Sequence, residues 1–149
     1  MELSRVDITM EVSAIACMMA LPRRGHLEQL YHMFAYLGNN HNACMVFDPS
    51  EPVLDMSKFI KEDWSAAPYG KCKEEIPDDV PTARGKAFTI RAFVDSDNAG
   101  DVVTRRSRTG FIIFLNSAPI YWSSKKQTGI ETSSFGSEFI AMKQLCEYL

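Results

Sequence analysis

The period of the hydrophobic residues changes along the chain. From Val6 to Met19 the apolar positions Val6, Ile8, Met10, Val12, Ile15, Met18 and Met19 mix two periods, and the segment reads as a helix that Pro22 stops. Leu27, Leu30, Phe34 and Leu37 then recur at the spacing of one helix face, with Tyr31 beside them. Gly38 is placed as a C-terminal stop, so a second amphipathic helix is predicted. Ala43 to Phe47 is a short apolar run closed by Asp48 and Pro49, which fits a strand. From Ser50 to Arg84 come four prolines, many charges and scattered apolar residues, the pattern of a linker or irregular insertion.

Beyond that insertion the period becomes two. Phe88, Ile90, Ala92 and Val94 alternate with Thr89, Arg91, Phe93 and Asp95, predicting a strand over Ala87 to Asp95. Gly110 to Leu115 is apolar on both faces, as in a covered central strand. Only Asn116 and Ser117 separate it from Ala118 to Ser124, a hairpin spacing in which Asn takes the positive φ of the turn. An antiparallel sheet follows from these three segments. Phe135, Phe139, Met142, Cys146 and Leu149 fall within about 80° of one another at 100° per residue, predicting a helix that lays this stripe on the sheet. The chain stops inside that helix without a C-terminal cap, which points to a truncated reading frame.

Composition adds less than charge does. No run of about 18 apolar residues occurs, so no membrane partner is expected, and the acidic start MELSRVDITMEV lacks the build of a signal peptide. An intracellular chain is expected. Cys17, Cys44, Cys72 and Cys146 are scattered without a CxxC pair, and His26, His32 and His41 lie off any metal-ligand spacing, so ordinary reduced thiols are expected rather than zinc. The net charge of -3 hides a division. Between Ser50 and Val80 eight acidic residues face four lysines, whereas Arg84, Lys86, Arg91, Arg105, Arg106, Arg108, Lys125 and Lys126 face only Asp95, Asp97 and Asp101. Such a local basic excess attracts polyanions although the whole chain is acidic. Three units are therefore expected: a helical segment over 1–49, an acidic linker over 50–86 and a sheet-and-helix domain over 87–149.

Three features carry possible chemistry. In FVDSDNAGD a hydrophobic strand delivers Asp95 and Asp97 into a turn with Gly100 and Asp101. Carboxylates at a strand end can hold a hard divalent cation, but Asp, Asn and Gly also gather wherever a chain turns. Glu138 lies about 60° from the centre of the apolar stripe, so a helix packed on the sheet would bring it near Asp95; a solvated helix-edge glutamate has the same spacing. Two converging carboxylates repel unless a cation lies between them, which is the reason to expect Mg²⁺. Lastly, TRRSRTG at Thr104 to Gly110 and WSSKKQ at Trp122 to Gln127 offer Arg105, Arg106, Arg108, Lys125 and Lys126 to phosphate oxygens, or simply to water.

The succession FVDSDNAGDVVTRRSRTGFIIFL, APIYWSSKKQ and ETSSFGSEFIAM resembles the ribonuclease H domain of copia-type retrotransposons, motif for motif over about 60 residues. Upstream, RVDITMEVSAIACMMALPRRGHLEQLYHMFAYL resembles the stretch that follows the polymerase active site in the same polyproteins. The resemblance implies an α/β chain: an incomplete ribonuclease H-like fold, with a three-stranded antiparallel sheet and a packed helix, preceded by the end of a reverse transcriptase. It implies Asp95 and Glu138 as catalytic carboxylates that help hold two Mg²⁺ ions, and an RNA:DNA hybrid as substrate, recognised through its backbone and 2′-hydroxyls. It also implies the remaining polyprotein as partner, and a cytoplasmic virus-like particle or the nucleus as location. Two departures stand out. Gly136 replaces an acidic residue common two places before the helix glutamate. The family's other two metal-binding aspartates follow the helix, and its polymerase aspartates precede the stretch at Met1, so the isolated chain is expected to be inactive.

Two other functions fit some of these residues. A nucleic-acid-binding module without catalysis would use the N-terminal helices and the basic loop, and metal-dependent cleavage would separate it from a nuclease. An aspartate-nucleophile phosphatase also opens with DxD after a hydrophobic strand, but it needs a parallel sheet where Leu115 to Ala118 reads as a hairpin.

Overall fold

The computed structural model of the chain describes residues 5–58, 63–66, 68, 77–82 and 84–149. A 3-10 turn, Val6–Ile8, runs into helix α1 (Thr9–Ala16), and Pro22 precedes helix α2 (Arg24–Asn39). An Arg5–Asp7 ion pair just before α1 is hydrogen-bonded to the end of α2. Arg5 donates to the Asp7 carboxylate at 2.9 and 2.7 Å and to Asn40 O at 3.0 Å, and Tyr36 Oη donates to Asp7 at 2.8 Å. Gly38 does not end α2 as expected: the helix continues through Asn39. Asn40 closes it instead, its backbone N–H and side-chain Nδ2 both donating to Tyr36 O, so no left-handed glycine is required.

The strand expected at Ala43 to Phe47 does not form. Among the described residues that run has no neighbouring strand to share a ladder with, and Val46 and Phe47 stay exposed. Just after it, Pro49 O and Ser50 O accept from Asn116 Nδ2 and Ser117 N–H, which anchors the segment to the sheet's hairpin. In the acidic insertion, 3-10 turns occur at Met56–Lys58 and Trp64–Ala66; much of the rest of the proposed linker lies outside the described residues.

The expected antiparallel sheet is present, in the order β1 (Ile90–Ser96), β2 (Arg108–Leu115), β3 (Ala118–Lys126). Its registers run from Ile90 opposite Leu115 to Ser96 opposite Thr109, and from Arg108 opposite Lys126 to Leu115 opposite Ala118. Ile113 faces Tyr121 but Phe114 faces Pro119, so Ile120 is the extra residue of a bulge. Asn116 holds the two-residue turn at φ 55°, as its position predicted, while its Oδ1 accepts from Thr89 N–H at 2.8 Å. All pairings are antiparallel among the described strands, so the parallel sheet needed by the phosphatase reading is not among them.

Helix α3 (Ser134–Cys146) packs on the sheet, but by a different face from the one expected. Ser137, Ala141 and Leu145 are buried, whereas Phe135, Phe139 and Met142 are exposed. The bulk is already supplied by the sheet: Phe111, Ile113, Ala92, Val94 and Tyr121 form the floor on which Leu145 packs. Ser137 and Ala141, 0% and 1% exposed, let the helix backbone approach that floor. Gln144, Glu147 and Tyr148 line a small cleft with Ser123 and Lys125 of β3. At 100° per residue, the flank carrying Glu138, Met142 and Phe135 therefore turns the other way, over β1. On the opposite face of the sheet lies α1, against β3, with Arg108 Nη1 donating to Ser13 Oγ at 2.6 Å. The arrangement is mixed α/β and compatible with a ribonuclease H-like fold.

Candidate nucleic-acid and metal site

Strand parity decides where the acidic residues point. Ala92 and Val94 face α3, so Phe93 and Asp95 face the other side, with Asp95 opposite Gly110. Asp95 is exposed, and its Oδ1 accepts from Ser96 N–H at 2.9 Å. Glu138 is also exposed, on the β1-side flank of α3. Asp95 therefore lies on the sheet face away from α3, and Glu138 on the helix flank turned toward β1. Among the described residues, no three His, Cys, Asp or Glu side chains are grouped to hold a metal ion.

Asp97 and Asp101 build the turn. The Asp97 backbone N–H donates to Arg108 O at 3.2 Å, while its carboxylate accepts from Arg108 N–H. A side chain at Gly100 would collide with that carboxylate, which is why the turn takes glycine there. Asp101 accepts from Val103 N–H at 3.0 Å, from Thr104 N–H at 2.9 Å and from Lys126 Nζ at 2.9 Å. The Thr104 N–H, followed by Lys126, holds the Asp101 carboxyl well below the usual carboxylate range.

The basic residues are distributed over both faces. Arg105, at φ 56°, is exposed at the loop tip, and Arg106 is half-buried with no hydrogen-bond partner at its buried Nε. Arg108 is engaged by Ser13 and Lys126 by Asp101. Lys125 lies on the α3 face, exposed, with Nζ 3.3 Å from Tyr148 Oη and 5.9 Å from its ring centroid. Arg105 and Lys125 are the exposed cations of the set.

A buried polar cluster escaped the sequence pattern. Gln127, 2% exposed, accepts no role as a basic-patch residue: its Nε2 donates to Thr109 Oγ1 at 3.1 Å and to Ser137 O at 2.9 Å, and its N–H to Ser107 O at 2.8 Å. Ser107 Oγ in turn accepts from Ala99 N–H at 3.0 Å. These bonds connect the basic loop to the first turn of α3, close in sequence to Glu138. Strand parity from Tyr121 through Ser123 and Lys125 was the available signal that position 127 faces the helix. Gly136 has a local reason as well: a Cβ there would lie 2.8 Å from Glu131 Oε2, so its absence admits the Glu131 carboxylate beside the α3 N-terminus.

No family model matches the chain, and no solved structure does. The chain is 41% identical over 56 residues to the retrovirus-related Pol polyprotein from transposon RE2 of Arabidopsis thaliana, covering 38% of this chain and 4% of that protein. To the corresponding polyprotein from transposon TNT 1-94 of Nicotiana tabacum it is 23% identical over 138 residues, 93% of this chain and 8% of the relative. A stretch of 63 residues, 42% of this chain, is 40% identical to the secreted RxLR effector protein 161 of Plasmopara viticola, covering 44% of it. The chain therefore spans a small part of the polyproteins it matches. Over the matched residues the chain is thus similar to one portion of retrovirus-related Pol polyproteins from transposons, consistent with the resemblance of its motifs.

Proposed function

We propose that the chain corresponds to the junction of reverse transcriptase and ribonuclease H in such a polyprotein, and that its sheet-and-helix half binds RNA:DNA hybrids at the outer edge of β1. The observation that supports this most directly is that Asp95 at the end of β1 and Glu138 on α3 are both exposed carboxylates, neither in an ion pair among the described residues. Their hard oxygens suit Mg²⁺; Asp95 would be its protein ligand on the face away from α3, and Glu138 would reach the same ion only around the edge of β1. When bound in the full site, Mg²⁺ supplies an activated water and charge stabilisation for phosphodiester hydrolysis. Two ligands fall short of a two-ion cage, so from this chain's own residues we derive hybrid binding rather than turnover. Arg105 and Lys125 would contact phosphates, and Asp95 would couple that binding to the cation.

Fluorescence anisotropy with a labelled RNA:DNA hybrid tests the reading. Two phosphate contacts predict a loss of affinity of about tenfold between 50 and 200 mM salt. Added Mg²⁺ should tighten binding of the hybrid to the parent but not to an Asp95→Asn variant. Equal Mg²⁺ responses in parent and variant would remove Asp95 from the site and sink the proposal.

A further inference from the structure

On the sheet face away from α3, a trough runs between the strands and the N-terminal helices. Thr109 and Phe111 face α3, so Arg108, Gly110 and Ile112 turn the other way, with α1 along that side as a wall. Two adjoining clefts make up the trough and share Met10, Asp97 and Arg108. One, of about 440 Å³, has Phe93, Gly110 and Ile112 as its floor. The other, of about 510 Å³, lies between the N-terminal part of α2 and the basic loop, with Gln29, His26 and Arg106 around it. The trough is built wholly from residues between Val6 and Lys126.

Arg106 and Arg108 distinguish the second cleft. Both are half-buried, neither is in an ion pair among the described residues, and the buried Arg106 Nε has no hydrogen-bond partner. A partly desolvated guanidinium without a counter-charge is costly, and a bound anion removes that cost. The root of Arg106 is fixed, because its carbonyl accepts from Asp101 N–H at 3.2 Å. Ser13 Oγ takes one N–H of Arg108 at 2.6 Å, and a hydroxyl neutralises no charge. Of the other charges in the cleft, Lys126 is paired with Asp101, and the Asp97 carboxylate accepts from Arg108 N–H. Arg106, Arg108 and Lys126 against Asp97 and Asp101, with His26 neutral, leave one positive charge. A single backbone phosphate balances it.

We infer that the trough takes a single nucleic-acid strand, with one phosphate at Arg106 and Arg108 and a neighbouring base on Phe93. Phe93 is 57% exposed, and Met10, 55% exposed, lines the same cleft from α1. Phe93 stands opposite Ile112, four residues along β2 from Arg108, or about 13 Å. Stacking on an aromatic ring and contact with the backbone are both indifferent to sequence, and together they suit a strand whose bases are free. A duplex keeps its bases stacked on one another and offers none to Phe93. Asp95 stands at the base end of the trough, where no phosphate is placed. The inference requires neither a cation at Asp95 nor hybrid binding.

Fluorescence anisotropy with a short labelled oligothymidylate, in EDTA so that no cation occupies Asp95, is the test. Phe93→Ala should weaken binding about tenfold and Phe93→Leu nearly as much, while Phe93→Trp should keep it, because a base stacks on a ring and not on an aliphatic chain. Arg106→Gln should lower the slope of log affinity against log salt by about 0.7, the share of one phosphate contact on a single strand. Gln29→Glu puts a negative charge on the helical wall and should weaken binding several-fold, whereas Asn39→Glu at the far end of α2 should not. Far-UV circular dichroism verifies that each variant is folded. Unlabelled oligothymidylate should displace the probe far better than a DNA duplex does. A parent that fails to bind oligothymidylate overturns the inference and leaves hybrid binding, measured with Mg²⁺, to its own test. Equal displacement by duplex and single strand also overturns it, and assigns the affinity to the exposed cations Arg105 and Lys125. So does an affinity unchanged in both Phe93→Ala and Arg106→Gln.

Discussion

The two halves of the chain spend their apolar residues differently. Neither α1 nor α2 contains a buried residue, although Met10, Leu27, Phe34 and Tyr36 are among their side chains and all are substantially exposed. The buried hydrophobic residues Phe111, Ile113, Trp122, Ala141 and Leu145 all belong to β2, β3 and α3. A sheet brings several strands' side chains onto one surface and a single helix can close it, whereas two short helices packed side by side cover little of each other. The sheet half therefore contains its own core, and the helical half leans on it through α1 and Arg108.

The strongest way to break that contrast is to remove volume from each half. Ile113 is 4% exposed and packs between β1, Tyr121 and α3, so Ile113→Ala should lower unfolding free energy by about 2–5 kcal/mol, transfer and cavity costs together. Leu27→Ala, on an exposed position of α2, should change it by less than about 0.5 kcal/mol. Urea titration followed by circular dichroism reads both. Comparable losses would mean that the helical half has a core of its own.

The polar cluster inside the sheet half offers a finer test. Gln127→Ala removes two buried hydrogen bonds, to Thr109 Oγ1 and Ser137 O, and leaves a void between β3 and α3, at a cost of about 1–3 kcal/mol. Glu is nearly isosteric but presents only acceptors when ionised, so Gln127→Glu should lose at least as much near neutral pH and recover part of it in acid. A neutral effect of both would show that the cluster is dispensable and that α3 is held by its apolar contacts alone.

How far the sequence predicted all this depended on the range of the interaction responsible. The hairpin was legible because Asn116 and Ser117 determine it locally, and the alternation in β1 and β2 announced the sheet. The face of α3 was not legible. A stripe of Phe135, Phe139 and Met142 is more hydrophobic than Ser137, Ala141 and Leu145, and only the bulk of Phe111, Ile113 and Tyr121 across the interface explains why the small side won. The same limit applied at Ala43 to Phe47, where local propensity had no partner strand. In the candidate site, DxD proved to contain two kinds of aspartate. Asp97 accepts the Arg108 N–H that closes the turn while Asp95 stays open, a distinction set by strand parity and by hydrogen bonds from residues about ten positions away.

The smallest effect should come from the contact that holds the helical half together. The Arg5 guanidinium, hydrogen-bonded to Asp7, and the Tyr36 hydroxyl lower the Asp7 carboxyl to about 2 from its ordinary 3.8. A carboxyl depressed in the folded state stabilises it wherever the unfolded carboxyl would already be ionised, so the contribution is complete above about pH 4. It is lost as pH falls through the folded value, because protonation then proceeds in both states. Since Arg5 also reaches Asn40 O, losing Asp7 should loosen both ends of the helical pair and leave Ile113 and its neighbours unaffected. Water screens this surface pair, and the change should be smaller than either core substitution. Amide exchange measured between pH 4 and pH 2, corrected for the intrinsic rate, should show protection falling in α1 and α2 before it falls in β2. An Asp7→Asn variant should have that lower helical protection already at neutral pH and lose less of it on acidification. If α1, α2 and β2 lose protection together in the parent, the two regions unfold as one unit and the division between them is only one of packing.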